Sequence, residues 1–291
     1  MSNQLINLND LQTTLSIRNA HPRDKNIVFY EENHTYKVLS DEESTYTSVT
    51  TWIHTFFSHF DADKIIAGIM KSRGWREGHK YWGKTTEEIK NLWEVNRVEA
   101  ASLGTKLHYN IECFMNSIIC NPNSYSNADL LDNYLPQINS LDEVDQSKEW
   151  SYFIDFITAY PDLKPYRTEW FVYHEDIKIA GSIDMVYENS DGTLSIYDWK
   201  RAKSIAGSEE NSFHKFSKKF GPISDTIKLP DTNYWHYALQ LNIYKKILED
   251  KYSVVIKELF LVRLHPDASG FELIKLPDLS KEVSYLFMER M

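Results

Sequence analysis

Two cysteines in 291 residues are too few for most cysteine-built devices. Cys113 and Cys120 lie seven apart on a segment that reads as one helix. That spacing is about 10 Å along the axis, beyond the reach of a disulfide. A four-cysteine iron–sulfur cluster and a four-cysteine zinc site are both excluded, and a reducing compartment is the natural setting. Long apolar runs are also missing, so no membrane-spanning helix is expected. Residues 1–25 lack the apolar core of a signal peptide, and Asp10 and Asp24 among Arg18, Arg23 and Lys25 do not suit a transit peptide. A soluble intracellular protein, in cytoplasm or nucleus, is the expectation. There is no basic excess either: 32 Lys and Arg against 42 Asp and Glu give a net charge of −10. That excludes coating nucleic acid through bulk charge but leaves room for a local basic strip. No internal repeat, low-complexity tract or G-x-x-x-x-G-K-[ST] phosphate loop occurs, so any helicase would be a separate chain.

Aromatics are plentiful at 14%, with 18 Tyr and 8 Trp. They can fill cores, and they can stack on nucleobases. Residues 1–25 read as a loose lead-in and 27–38 as a hairpin turning near Glu32-Asn33. Thr47 or Ser48 can cap one short helix and Asp61 another, and Thr85 with Glu88 has capping-box spacing for a helix through Trp93. A second helix is expected over about Val98–Ile119, where Leu107, Ile111, Phe114 and Ile118 form one apolar stripe. Residues 122–146 read as a polar connection and 147–160 as a helix. Three strands then follow at Thr168–His174, Lys178–Tyr187 and Thr193–Lys200, the last two joined by an Asn189–Gly192 turn. A long polar connection spans 201–231. A helix at Asn233–Asp250, strands at Val255–Leu264 and Phe271–Leu276, and a helix at Ser280–Arg290 complete the chain. The order predicts an α/β fold, a central mixed sheet flanked by helices. An N-terminal hairpin and helical lobe is expected over 1–95 and the core over 96–291.

Chemistry concentrates in four places. In Asp198-Trp199-Lys200, residues two apart share a strand face, so carboxylate and ammonium project together beyond the apolar Leu194 and Ile196. By itself this is a surface ion pair as readily as a catalytic group. Asp184 lies on the preceding strand, and pairing across the turn brings it near Asp198. Two adjacent carboxylates repel and call for a cation, and hard divalent ions favour oxygen ligands; a salt bridge from Asp184 to Lys200 is the alternative. Gly104, His108 and Glu112 are spaced four apart on one helix face. His108 could ligate a metal, and Glu112 could bind it or position its water. Gln240 and Tyr244 share a face of the 233–250 helix.

The ordered set Gly104-Thr105-Lys106-Leu107-His108 with Ile111-Glu112, Gly181-Ser182-Ile183-Asp184, Asp198-Trp199-Lys200 and Gln240-Leu241-Asn242-Ile243-Tyr244 resembles the RecB-like branch of the PD-(D/E)XK nucleases. It covers roughly half the chain. The resemblance implies a Mg²⁺- or Mn²⁺-dependent DNA exonuclease holding one or two ions and no iron–sulfur cluster. His108, Asp184, Asp198 and the Trp199 carbonyl would ligate metal. Lys200 would orient or activate water, and Gln240 and Tyr244 would hold the lysine or the DNA backbone. Glu169 occupies a position where relatives often carry an acid. DNA ends or single strands are the expected partner, together with a separate helicase or recombination protein. Thr105, Tyr244, Arg201, Lys203, Lys215, Lys218 and Lys219 are candidate nucleic-acid contacts, the basic ones lying in a local excess interleaved with Phe213, Phe216 and Phe220. A mobile, solvated loop is the alternative for that segment. A same-fold endonuclease and a non-catalytic DNA-binding scaffold are the other functional readings.

Overall fold

The computed structural model describes residues 14–57, 59–117, 125–138, 145, 147–205 and 229–291. In chain order these form α1 (Thr14–Arg18), β1 (Ile27–Tyr30), β2 (Thr35–Val38), β3 (Thr47–Ser48), α2 (Val49–His54), α3 (Ala62–Met70) and α4 (Thr86–Asn116). There follow α5 (Asn127–Ile138), α6 (Lys148–Ala159), β4 (Lys164–His174), β5 (Ile179–Glu188) and β6 (Leu194–Lys200). The last elements are α7 (Asn233–Lys251), β7 (Ile256–Arg263), β8 (Glu272–Lys275) and α8 (Ser280–Arg290). The expected α/β architecture is present: a six-stranded mixed sheet with helices on both faces. No helix among the described residues is long and apolar enough to cross a membrane.

The sheet grows from the β5–β6 hairpin. Its turn closes through Asn189 N–H to Thr193 O and Gly192 N–H to Asn189 O, with Gly192 at φ 80°, which glycine tolerates without strain. β4 lies antiparallel along the whole of β5, and β7 runs parallel to β6. A parallel pair needs a crossover, and α7 lies in the 201–255 connection between them. One face packs α2, α7 and α8 around Trp52, Ile183, Ile196, Leu241 and Phe287. The other packs α1, α4, α5 and α6 around Leu15, Ile111, Phe153 and Trp199.

Three expectations change. The helices read separately around Trp93 and from Val98 are one 31-residue helix, α4, which runs across residue 95. The capping box at Thr85 starts it, and no residue between them breaks it. Residues 122–146 are not all connection, because α5 lies within them. Ser126 and Asp129 cap its start reciprocally, Asp129 taking the place that Glu or Gln holds in the usual box. Leu130 is buried beneath its polar neighbours. Residues 14–25, part of the stretch expected to be loose, are tied down: Leu15 is fully buried, and Arg167 donates to Asp24 Oδ2 at 2.7 Å.

Candidate metal centre at a fork between strands

A strand has two edges, and β4 occupies one edge of β5 throughout. The other edge is shared. β3 pairs with Ile179 and Ala180, and β6 pairs with Met185 to Glu188. Gly181-Ser182-Ile183-Asp184 therefore fills the gap where β6 leaves β5. Continuing the Met185–Tyr197 register puts Asp184 opposite Asp198, as the hairpin reading required. The Trp199 backbone N–H donates to Asp184 Oδ2 at 3.0 Å and closes the end of the ladder with a side chain.

Side-chain alternation slips by one residue at this level. Ile179, Ile183 and Val186 enter one core, whereas Met185 and Tyr187 enter the other. Across the β4 ladder the position opposite Asp184 is Glu169, flanked by the pairs Thr168–Met185 and Trp170–Ile183. Glu169 has φ 44°, a left-handed backbone for a non-glycine residue inside a strand. Such strain persists only where the surroundings enforce it and clusters at functional sites. Here it turns the carboxylate into the fork, where Ser182 Oγ donates to it at 2.8 Å.

From the facing helix, His108 completes the group. Its Nδ1 lies 3.5 Å from Asp184 Oδ2 and 3.8 Å from Glu169 Oε1. Its Nε2 lies 2.9 Å from the Trp199 carbonyl. One ligand atom each from His108, Glu169 and Asp184 falls within 4.8 Å of the others. Lys200 Nζ sits 2.6 Å from Asp198 Oδ2 and 4.7 Å from the centre of the Tyr237 ring.

The electrostatics are unbalanced. Burial pushes the Asp198 carboxyl up to about 6, with the Asp184 charge adding to it. Burial raises Asp184 too, against the pull of His108 and Lys200. Burial pushes Glu112 up to about 7, reinforced by Glu169. For His108 burial opposes the charge, but Asp184 and Glu169 outweigh it and lift the ring to about 9. Burial likewise disfavours a charged Lys200, yet Asp198 and Asp184 raise it and keep it cationic. Four carboxylates thus face one ammonium and one imidazolium. Burial and mutual repulsion therefore favour protonation of these carboxyls, and a bound cation would relieve the repulsion, the imidazole giving up its proton to become a ligand.

Carboxylates, an imidazole and a backbone carbonyl make a donor set suited to Mg²⁺ or Mn²⁺. Ligand bonds of about 2.1 Å at right angles put neighbouring donors about 3 Å apart; His108 Nδ1 lies 3.5 Å and 3.8 Å from the Asp184 and Glu169 oxygens, a little wider than that, while the Nε2 edge is within hydrogen-bond distance of the Trp199 carbonyl. The donors present therefore fit a small hard cation.

Of the residues singled out in the sequence, the fork brings together His108, Asp184, Asp198, the Trp199 carbonyl and Lys200, with Glu112 beside them. Asp198 stands outside the three-residue ligand group and is engaged by Lys200. Glu169 joins that group instead. Gln240 Nε2 donates to Tyr244 Oη at 3.5 Å, and Tyr244 is buried against Gly181. A Cβ on Gly181 would lie 2.7 Å from Tyr244 Cε1 and Oη, which explains glycine at the first place of Gly-x-x-Asp. Gly104 has no comparable neighbour. Thr105 is exposed on α4. Arg201 is tied to Glu149 at 2.6 Å with both side chains largely buried, and Lys203 pairs with Asp267 at 2.8 Å. Lys215, Lys218 and Lys219 lie outside the described residues, as do Phe213, Phe216 and Phe220.

Sequence reasoning left Tyr237 among the Asp231–Tyr237 aromatics, which could line the groove or fill the core, and missed Tyr36. Tyr237 lies three residues before Gln240 and seven before Tyr244, the spacing of one helix face, so its place under Lys200 was available as a signal. Tyr36, on the β1–β2 hairpin, has its phenol at the Ser182 backbone and near Glu169 and Asp184. No local pattern announces that contact.

No family model matches the chain, and no curated protein does. A solved structure described as "Crystal structure of SSO0001" is 17% identical, covering 67% of this chain and 69% of its own, with a TM-score of 0.22. At that TM-score the likeness supports neither fold nor function.

Proposed function

We propose that this chain is a metal-dependent DNA nuclease of the PD-(D/E)XK class, RecB-like branch, hydrolysing phosphodiesters at DNA ends or in single strands. The observation that carries the reading is the convergence of His108, Glu169, Asp184 and Asp198 at one strand fork, with the Lys200 ammonium at its rim. His108, Asp184 and the Trp199 carbonyl, with Glu169 or Asp198, would hold Mg²⁺ or Mn²⁺. When bound, such an ion supplies Lewis acidity and lowers the pKa of water.

The chain's own groups do the rest. Lys200, fixed between Asp198 and the Tyr237 ring, places a positive charge where the phosphoryl oxygens gain negative charge. Its N–H bonds can orient the attacking water. Glu112, with its carboxyl near 7, can accept a proton from a water held beside it at neutral pH. Tyr244 and Gln240 fix the α7 side of the fork. Acting on DNA would place the protein in the cytoplasm or nucleus, with strand separation left to a separate helicase.

The test is cleavage of end-labelled single- and double-stranded DNA with Mg²⁺ or Mn²⁺, with EDTA as control. Ion-dependent cleavage is expected, lost in Lys200→Ala while ion binding survives. Equal cleavage by Lys200→Ala and wild type would remove Lys200 from the mechanism, and no ion-dependent cleavage would remove the enzyme. Sparing of closed circular DNA is expected of an exonuclease; its cleavage would make the protein an endonuclease.

A further inference from the structure

Between α3 and α4 the chain gathers aromatic rings where there is no core to fill. Residues 71–84 are a run of turns, closed by Trp75 N–H to Ser72 O at 3.1 Å, His79 N–H to Arg76 O at 2.9 Å, Trp82 N–H to His79 O at 2.9 Å and Lys84 N–H to Tyr81 O at 3.0 Å. Their rings touch one after another. Trp82 lies 5.6 Å from Trp75 between centroids, Trp75 5.1 Å from His79, and His79 5.8 Å from Tyr81. Tyr81 lies 6.1 Å from Trp93, and Trp93 5.8 Å from Phe60. The Trp93 indole N–H donates to Tyr81 Oη at 2.9 Å and pins the set to α4. None of these rings belongs to the buried clusters on the two sheet faces or under the hairpin. Both ends are open to solvent, Trp82 at 47% and Phe60 at 72% exposure. We propose that this surface is a platform for single-stranded DNA, with unpaired bases stacking on the rings and phosphates meeting the cations around them. The proposal rests on the nuclease reading above and adds to it a strand-binding site apart from the metal centre.

Charge selects the partner. In a chain of net charge −10, this segment sets Lys71, Arg73, Arg76, Lys80 and Lys84 against Glu77 alone. All five cations are exposed, and none forms an ion pair among the described residues. The flanking acids are engaged elsewhere. Asp61 and Glu88 cap helices, and Lys90 holds Asp63 at 2.6 Å and Glu87 at 3.2 Å. Exposed, unpaired cations in an acidic protein suit a polyanion, and rings set among them suit flat π-faced groups. A single strand offers both together. A duplex hides its base faces in its own stack, and an acidic peptide has no run of such faces. Helices that bind lipid do so through a continuous apolar face, whereas residues 71–84 are turns with a cation every two to four residues. Stacking on these rings tolerates any base, so the preference is for an unpaired strand and not for a sequence. α4 joins the platform to the fork. Trp93 and His108 stand fifteen residues apart on it, about 22 Å along the axis and about 60° around it. A stacked strand rising about 3.4 Å per nucleotide spans that interval in about seven nucleotides.

The experiment measures binding of a fluorescein-labelled oligodeoxythymidylate of about 20 nucleotides, a labelled duplex of the same length and phosphatidylserine vesicles, all in EDTA. The proteins are wild type, Phe60→Ala, Trp82→Ala and the triple reversal Arg73→Glu, Arg76→Glu and Lys80→Glu. Every altered side chain is exposed, so the fold is not at risk. Wild type is expected to bind the single strand about tenfold more tightly than the duplex, the scale of one stacked base. Each ring variant should weaken the single strand by about fivefold or more and leave the duplex unchanged. The triple reversal should weaken both DNA probes and flatten the dependence of affinity on salt. Equal wild-type affinity for strand and duplex, unchanged strand affinity in both ring variants, unchanged salt dependence in the reversal, or binding to neither DNA probe would overturn the platform. Binding to the vesicles alone would assign the surface to a membrane and overturn it too. Cleavage of the same oligonucleotide with Mn²⁺ separates the two readings. Ion-dependent cleavage by a protein whose strand binding ignores both rings keeps the nuclease and removes the platform. Ring-dependent strand binding without cleavage keeps the platform and removes the nuclease.

Discussion

Gly181→Ala isolates one contact on which the fork depends. Gly181 has an ordinary strand backbone, since among the described glycines only Gly78, Gly83 and Gly192 carry positive φ. Alanine could adopt it, and on backbone grounds the change would stabilise by about 0.5–1 kcal/mol. Packing opposes this. The new methyl would sit 2.7 Å from the Cε1 and Oη atoms of Tyr244, well inside van der Waals contact, and Tyr244 is only 3% exposed. Forcing a methyl into a filled site costs about 1–3 kcal/mol, so net destabilisation of about 1–2 kcal/mol is expected. The assay is the urea midpoint of four proteins: wild type, each single variant and the double variant with Tyr244→Ala. Removing the ring removes the obstruction, so Gly181→Ala should become neutral or stabilising in that background. An equal cost with and without the ring would refute the reasoning.

Adding Mn²⁺ should raise the thermal midpoint of wild type, because a ligand bound only by the folded state stabilises it. Asp184→Asn should abolish that rise while leaving the EDTA midpoint unchanged or higher, because burial disfavours the charged form of Asp184 in the metal-free fold; an undiminished rise would exclude Asp184 as a ligand. Burial disfavours a charged Glu175, but the Arg23 guanidinium at 2.7 Å prevails and holds it at about 2. Its folded value is depressed, so its stabilisation is present above about 4.5 and is lost as pH falls towards 2. Glu175→Gln should flatten the stability profile across that window, measured as urea midpoints. Arg201→Ala strands the buried Glu149 carboxylate and should cost about 3–5 kcal/mol; a fully stable variant with weakened DNA binding would instead make Arg201 a DNA contact.

Much of the candidate site was legible because strand and helix periods are local. Asp198 and Lys200 project together for the reason any two residues at that spacing do, and the Asn189–Gly192 turn sets the register that puts Asp184 across from Asp198. His108 was legible as a helix-face residue next to the stripe of Leu107 and Ile111. Glu169 was visible only as an acid of open role. Its strand alternation gave no hint of a left-handed backbone, because the slip at Asp184 and the strain at Glu169 arise from three strands sharing two edges. α5 was hidden by polar composition, and continuity of α4 by an exposed middle that carries no apolar stripe.

Sequence by itself determined the alternation, the turns, the caps and which charged side chains share an element, since these follow from covalent geometry and hydrogen bonding within a few residues. Tertiary structure alone decided that β6 departs from β5 at Asp184, that Tyr244 fills the space Gly181 leaves, and that Lys200 rests on Tyr237. Those contacts join residues far apart in the chain, and they exist only because close packing allows one arrangement of the intervening side chains.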